Sequence, residues 1–408
     1  MRILMLSPVV PWPLSAGGGH VRIFHILRGL SNCFATTFVA PTTDTDESVS
    51  RILTEATGAR IVLVKVARHN PRLNRLASLV SLMPYHVSHY FYPEMLRTIE
   101  NLINTEDFAL TYLHFMYPMA YLPPTITTPL VVDQQNVDRE YWQRKIDAEK
   151  NPSLRLLLRW NLSKVIRYEQ RVLRRISAYV SVSERDKHFT EKYARPFVPY
   201  FFVAPNGVDL CYFRASGYEK ETQPRTITLG FMGSMNLVSN TRAAVILVEE
   251  ILPLVRSRVP SQTIRCLLIG RNPSSKVLSL ARTNSEVTVT GTVPDVRPYL
   301  NQVDIFVVPL SEGAGSKLRV LEAMASGIAI VGSAIALQGI DGVRNFENAR
   351  AAHSPTQFAE AIVELIENPP ERERLGRNAK RLVTEQYSWS RITSRLGREL
   401  QQVTGAMR

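Results

Sequence analysis

Pro309-Leu-Ser-Glu-Gly-Ala-Gly-Ser-Lys-Leu-Arg-Val-Leu-Glu-Ala-Met-Ala-Ser-Gly327 joins the end of an apolar run, a glycine-rich turn and a helical pattern. Val303–Val308 reads as a buried strand and Glu312–Gly315 as a turn. Ser316 reads as the N-cap of an amphipathic helix carrying Leu318, Val320, Leu321 and Met324. The free N–H groups of such a first turn bind anions. Lys317 and Arg319 sit where a phosphate approaches, and Glu322 lies about one and a half turns further in, within reach of a sugar hydroxyl. The same pattern also describes an ordinary strand–loop–helix unit, because glycine turns are common in α/β proteins. A Walker loop is excluded, since Lys317 is followed by Leu318 where that loop needs Ser or Thr.

Strand and helix signals alternate along the whole chain, which is the pattern of parallel α/β layers. The first half predicts strands at Arg2–Leu6, Thr36–Ala40, Arg60–Val66, Ala109–His114, Leu130–Asp133 and Ala178–Val182. A second series follows at Thr226–Phe231, Thr263–Ile269, Val287–Thr290, Val303–Val308 and Ile328–Val331. Two independent α/β sheets are expected. Val203-Ala-Pro-Asn-Gly-Val-Asp209 lies between the series, and its Pro-Asn-Gly turn signal reads as a hinge. Phe213–Pro224 reads as a polar, irregular bridge, and the chain beyond Pro370 as charged helices ending after Tyr387-Ser-Trp389.

With 408 residues the chain has ample core for two domains. Cys33, Cys211 and Cys266 are widely spaced, which argues against a disulfide scaffold and a zinc site and makes a reducing cytosol the expected compartment. Pro8, Pro11 and Pro13 interrupt the apolar start, so Arg2–Leu6 reads as a strand rather than part of a signal peptide. No segment offers the roughly 18 uninterrupted apolar residues of a membrane-spanning helix.

A net charge of +13 implies an anionic partner: a nucleotide, an acidic membrane surface or a nucleic acid. Leu154, Leu157, Leu158, Leu162, Val165, Val172 and Ile176 repeat at helical spacing, and Arg155, Arg159, Arg167, Arg171 and Arg175 follow a slanted row on another face. The row reads either as the solvated face of a packed helix or as a patch resting on anionic lipid headgroups. In the second case the protein sits peripherally at the inner face of the membrane. A nucleic-acid-binding protein is disfavoured, because no basic surface interleaved with aromatics and no binding module is visible.

The remaining polar signals stand at strand ends, where α/β proteins bind ligands. Pro11-Trp-Pro-Leu-Ser-Ala-Gly-Gly-Gly-His20 follows the first strand and reads equally as a close backbone approach to a ligand or as a flexible turn. It is not the Gly-x-Gly-x-x-Gly dinucleotide fingerprint. His114, at the end of a strand, either caps the sheet or hydrogen-bonds a reacting sugar. Phe231-Met-Gly-Ser234, Gly270-Arg-Asn-Pro273 and Gly291-Thr-Val-Pro294 place turns at the same edge as Gly315–Glu322. Their convergence outweighs any one motif.

Pro205-Asn-Gly-Val-Asp209, Gly315-Ser-Lys-Leu-Arg-Val-Leu-Glu-Ala-Met-Ala325 and the opening glycine loop together resemble the GT-B retaining glycosyltransferases of family 4, especially bacterial sugar transferases of polysaccharide and exopolysaccharide pathways. Phe231-Met-Gly-Ser-Met with Asn240, Asp133-Gln-Gln-Asn-Val-Asp138 and Tyr387-Ser-Trp389 stand in family-like order, so the resemblance spans nearly the whole chain. It implies two Rossmann-like parallel α/β domains facing across a cleft. Residues 1–203 form the acceptor side, with a terminal helix at 388–408 packing back on it, and residues 204–387 hold a nucleoside-diphosphate sugar. Glu322 is implied at the donor ribose, and Gly315, Ser316, Lys317 and Leu318 at the diphosphate with Arg319 nearby. Gly233 and Ser234 join them from the first turn of that domain, and Gly17 and Gly18 from the other domain. Arg271 and Val293 border the nucleobase, and His114 contacts the transferred sugar. Catalysis then rests on His114, Lys317, Arg319 and Glu322. The acceptor is a hydroxyl of a glycan or lipid-linked molecule, and neither a metal nor a cofactor is implied.

Two departures from the family pattern stand out. A second Glu, eight positions before Glu322, is replaced by Ala314, with Glu312 near enough to reach in. The Arg and Lys pair that follows the first strand of the donor domain is absent from Gly233–Thr241, which leaves neutralisation of the diphosphate to Lys317 and Arg319. A catalytically silent GT-B protein that binds a partner is the alternative expectation.

Overall fold

The structure, a computed structural model, describes residues 1–43, 47–67, 81–214, 226–312 and 318–405. The N-cap expected at Ser316, the candidate residues Gly315 and Lys317, and most of the bridge after Phe213 lie outside the described residues. The chain forms two compact units, Met1–Pro205 with Trp389–Arg408, and Asn206–Ser388.

Among the described residues the first unit is built on seven strands: β1 (Arg2–Leu6), β2 (Ala35–Thr42), β3 (Arg60–Lys65), β4 (Leu110–His114), β5 (Leu130–Gln134), β6 (Ala178–Ser181) and β7 (Tyr200–Val203). They pair in the order β3-β2-β1-β4-β5-β6-β7, all parallel. The second unit holds β8 (Thr226–Met232), β9 (Thr263–Ile269), β10 (Val287–Val289), β11 (Ile305–Val308), β12 (Ala329–Gly332) and β13 (Arg350–Ala351). Their order is β10-β9-β8-β11-β12-β13, again parallel. Parallel strands are covered by helices on both faces, so they read as unbroken apolar runs. Ile3–Leu6, Val131–Val132 and Ile305–Val308 are accordingly inaccessible to solvent. In each sheet the order reverses once, between β1 and β4 and between β8 and β11, and these reversals fix where a ligand binds.

Two strands escape the sequence reading. β7 is a half-buried edge strand of aromatic residues, and β13 is two residues long with no apolar run. β11 begins at Ile305 rather than Val303, because the Asp304 carboxylate turns back to accept from Thr228 N at 2.9 Å. The helix Pro152–Leu173 is capped by Asn151, whose side chain accepts from the N–H groups of Ser153 and Leu154. Its expected apolar stripe is only partly buried. Val165, Val172 and Ile176 are covered, whereas Leu154 and Leu157 lie in the first turns, where every residue from Asn151 to Leu157 is exposed.

The terminal helix Trp389–Gly405 returns to the first unit and packs on the helix Gly18–Ser31. The Trp389 indole stacks on the His25 ring at 4.9 Å between centroids, 6° from parallel. A Cβ on Gly29 would stand 2.2–2.5 Å from the side-chain atoms of Thr393, so the two helices meet where only glycine fits. Ala within a helix is worth about 1 kcal/mol over Gly, whereas overpacking costs about 1–3 kcal/mol. With Thr393 buried and held to Trp389 O, the second effect dominates. Gly29→Ala is therefore expected to lower the urea midpoint. A Thr393→Gly background should shrink that loss in a double-mutant cycle, and simple additivity would contradict the packing.

Candidate active site

In the second unit, the turns after β8 and β9 and the helix Leu318–Ala325 meet at the carboxyl edge beside the β8–β11 reversal. Gly270 has φ of +152°, and a Cβ there would lie 1.7 Å from Gly233 O. Only glycine allows the two turns to approach this closely. Gly233 N donates to Ile269 O and Met235 N to Arg271 O, each at 2.9 Å, and Arg271 Nε donates to Ser234 Oγ at 3.0 Å. Gly233 is constrained from its other side as well, because a Cβ would stand 2.7 Å from Arg319 Nη1 and 2.8 Å from Asn240 Nδ2. Arg319 Nη1 donates to Asn240 Oδ1 at 2.7 Å, and Asn240 Nδ2 donates to Ser234 O at 2.9 Å. The guanidinium carbon lies 5.7 Å from the centre of the Phe231 ring. Asn240, which the sequence marked only as standing in family-like order, is the residue that holds Arg319 in place.

Burial lowers the Arg319 pKa to about 10, with the charge of Glu322 opposing. Glu322 lies three residues further along the same helix. Burial pushes its carboxyl up to about 7, and the charge of Arg319 opposes this only in part. Among the described residues the Glu322 carboxylate has neither a hydrogen bond nor an ion pair, and Arg319 spends only Nη1 on a protein partner. A half-buried guanidinium and a half-buried carboxylate on adjacent turns, at a sheet reversal, can take a ligand that carries an anion and hydroxyl donors.

Around this pair, Leu318 opens the helix and Val293 lies half-buried in the turn after β10, which follows Gly291 at φ +69°. Glu312 Oε1 lies 3.7 Å from Arg242 Nη1, both side chains exposed. Arg242 is a cation near this turn that the sequence reading passed over.

In the first unit Gly17 and Gly18 begin the helix after β1, with Gly17 O accepting from His20 N and Val21 N. His114 ends β4, at the β1–β4 reversal, but its side chain is wholly inaccessible to solvent. Its Nδ1 lies 3.2 Å from Asp133 Oδ2, and Arg22 Nε and Nη2 donate to Asp133 at 3.2 and 2.5 Å. Arg22 Nη1 donates to Pro205 O at 3.2 Å. Burial would raise the Asp133 pKa, but Arg22 and His114 outweigh it and hold the carboxyl at about 2. Burial lowers the His114 pKa despite Asp133. In this conformation the His114 imidazole is enclosed against the Arg22–Asp133 ion pair. Asp133, an acid closing the apolar run Leu130-Val-Val, was legible as a strand-end group. Arg155, Arg159, Arg167, Arg171 and Arg175 are all exposed, and Arg175 Nη2 donates to Pro123 O at 2.7 Å.

The family model of group 1 glycosyl transferases matches residues 226–368, inside the second unit. Over 219 residues the chain is 24% identical to phosphatidyl-myo-inositol mannosyltransferase of Mycobacterium tuberculosis, covering 50% of this chain and 54% of that protein. The chain thus spans about half the length of the curated relatives it matches. Among solved structures, sucrose-phosphate synthase of Thermosynechococcus elongatus superposes with a TM-score of 0.69 at 16% identity, covering 100% of both chains. The Anabaena protein HepE in complex with UDP-glucose superposes with a TM-score of 0.63 at 13% identity, over 98% of this chain and 100% of that one. The fold is GT-B, with two Rossmann-like α/β domains, and the match to group 1 glycosyl transferases lies within the second of them.

The raised pKa of Glu322 has a measurable sign. A carboxyl that holds its proton more tightly folded than unfolded makes stability fall as pH rises from about 4.3 through about 7, and leaves it level above. Glu322→Gln removes this loss. The variant is expected to gain on the wild type in thermal stability between pH 5 and pH 8, and a difference that does not change with pH would contradict the raised pKa.

Proposed function

We propose that the protein is a retaining glycosyltransferase that moves a hexose-type sugar from a nucleoside diphosphate to a hydroxyl of a glycan or glycolipid acceptor in polysaccharide or cell-envelope synthesis, without a metal. The observation that carries this reading is the half-buried Arg319–Glu322 pair, with no ion pair among the described residues, inside the segment that matches group 1 glycosyl transferases. A carboxylate with free lone pairs accepts from both hydroxyls of a ribose. The N–H groups of a half-buried guanidinium suit a diphosphate, and Lys317 and Arg242 add charge. As the glycosidic bond breaks, the leaving diphosphate gains charge, and fixed cations stabilise it more in the transition state than in the ground state. Retention is carried over from the family resemblance. So are the contacts of Gly17, Gly18, Gly233, Ser234, Arg271, Val293, Gly315, Ser316 and Leu318 with the donor. His114 acts in this reading through Asp133 and Arg22, as a positioning residue. The similarity to a mannosyltransferase and to a protein solved with UDP-glucose supports a hexose nucleotide as donor.

Charge-assisted hydrogen bonds of this kind are worth about 1.5–3 kcal/mol. Calorimetry with UDP and GDP is therefore expected to show one of them binding, and Glu322→Gln to weaken it about tenfold to a hundredfold. Turnover of the matching nucleotide sugar should persist in EDTA. Failure to bind any nucleoside diphosphate would overturn the enzyme reading, and turnover lost to EDTA and restored by magnesium would overturn metal independence.

A further inference from the structure

The helix Pro152–Leu173 leaves large apolar side chains in water at its start. Leu156 is 67% exposed, and Leu154, Leu157 and Trp160 are each between 44% and 46% exposed. At about 100° per residue, Leu156, Trp160, Leu157 and Leu154 follow one another round nearly half of the helix. The neighbouring segment extends this surface. Lys164 Nζ, 5.6 Å from the Trp160 ring, donates to Ser81 O at 3.2 Å, and Tyr85 N donates to Asn161 Oδ1 at 3.1 Å. These bonds hold the segment beside Trp160, with Leu82 71% exposed and Met83 39% exposed. Six large apolar residues gathered on one surface mark an interaction site rather than the scatter that every surface shows.

Charge identifies the partner. Residues 152–168 carry Arg155, Arg159, Lys164 and Arg167 and no Asp or Glu. Arg155, Arg159 and Arg167 are exposed: Arg159 stands about 60° round the helix from Leu156, Arg155 further round on the far side, and Arg167 further along the Leu156–Trp160 line with its guanidinium 6.0 Å from the Trp160 ring. A second copy of a chain with net charge +13 would meet the same cations, whereas anionic headgroups complement them. Tryptophan beside leucine suits the boundary between headgroups and acyl chains. Among the described residues no helix is long and apolar enough to cross a membrane. The surface also adjoins the carboxyl edge of the first sheet. Three residues after Met83, His86 Nε2 lies 3.9 Å from Asp138 Oδ2, which accepts from Gln134 Nε2, at the end of β5, at 3.0 Å.

We propose that Leu82, Met83, Leu154, Leu156, Leu157 and Trp160 insert into the headgroup region of an anionic bilayer and bring a lipid-borne acceptor to the carboxyl edge of the first sheet. The insertion stands on the surface alone, and the identity of the acceptor rests on the glycosyl-transfer reading. Binding here is apolar in its core and cationic at its rim, so salt weakens it without abolishing it.

The test is co-sedimentation of the full chain with phosphatidylcholine vesicles, with and without phosphatidylglycerol, at low and high salt. Wild type is expected to favour the anionic vesicles and to stay partly bound at high salt. Leu156→Gln/Trp160→Gln keeps every charge and is expected to lower partitioning onto anionic vesicles at least tenfold, with an unchanged circular dichroism spectrum. Leu82→Gln/Met83→Gln, on a separate segment, should lower it as well. Unchanged binding by both variants, binding abolished by salt alone, or a wild-type dimer that the variants convert to monomer would each overturn the proposal. None of these readouts depends on catalysis, so they stand apart from a failure of the enzyme reading.

Discussion

One half-buried hydrogen bond, from Arg319 to Asn240, sets the geometry of the second unit's carboxyl edge. A guanidinium brought under a turn needs an acceptor there, and Asn240 supplies it while its own N–H group fastens to Ser234 O. With the guanidinium so placed there is no room for a side chain at Gly233, and the close approach of the β8 and β9 turns leaves none at Gly270. Two glycines, one amide and one cation thus constrain each other, and the helix that follows β11 carries Glu322 into the same region. What this network leaves unpaired is as informative as what it pairs. Glu322 is half-buried with no ion pair among the described residues, and a carboxylate so placed beside a cation at a sheet edge is a candidate ligand group.

The first unit solves the same electrostatic problem in the opposite way. Arg22 and Asp133 are both sealed from solvent, and the guanidinium spends its N–H groups on the carboxylate and on Pro205 O. Removing one partner from such a pair costs about 3–5 kcal/mol, because the other is left charged and buried. The pair joins the helix after β1, the end of β5 and the chain at Pro205, and it encloses His114. Satisfied charge here holds elements together, whereas Glu322 in the second unit has no ion pair among the described residues.

Fold class was legible because parallel strands buried on both faces leave an unmistakable trace. Arg2–Leu6 and Thr263–Ile269 have the same bounds in sequence and structure, and most other strands shift by a residue or two. Short or half-exposed strands leave no such trace, which is why β7 and β13 were missed. Helical spacing located the stripe of Leu154, Leu157 and Val165 but said nothing of where packing stops along the helix, and its first turns turned out to face solvent. The candidate site was legible where residue type fixes the chemistry, as at Arg319 and Glu322. It was not legible where the partner comes from elsewhere in the chain. Asn240 is 79 residues from Arg319, and the burial of His114 follows from Arg22 and Asp133, 111 residues apart.

The central claim is that Glu322 and the N–H groups of Arg319 not bonded to Asn240 bind a nucleoside diphosphate, and a crystal structure of the chain with UDP or GDP tests it most directly. Both ribose hydroxyls should lie about 2.5–3.0 Å from the Glu322 carboxylate, with the diphosphate on the free N–H groups of Arg319 and the Asn240 bond intact. A nucleotide bound elsewhere, or one that leaves Glu322 unpaired, would contradict it.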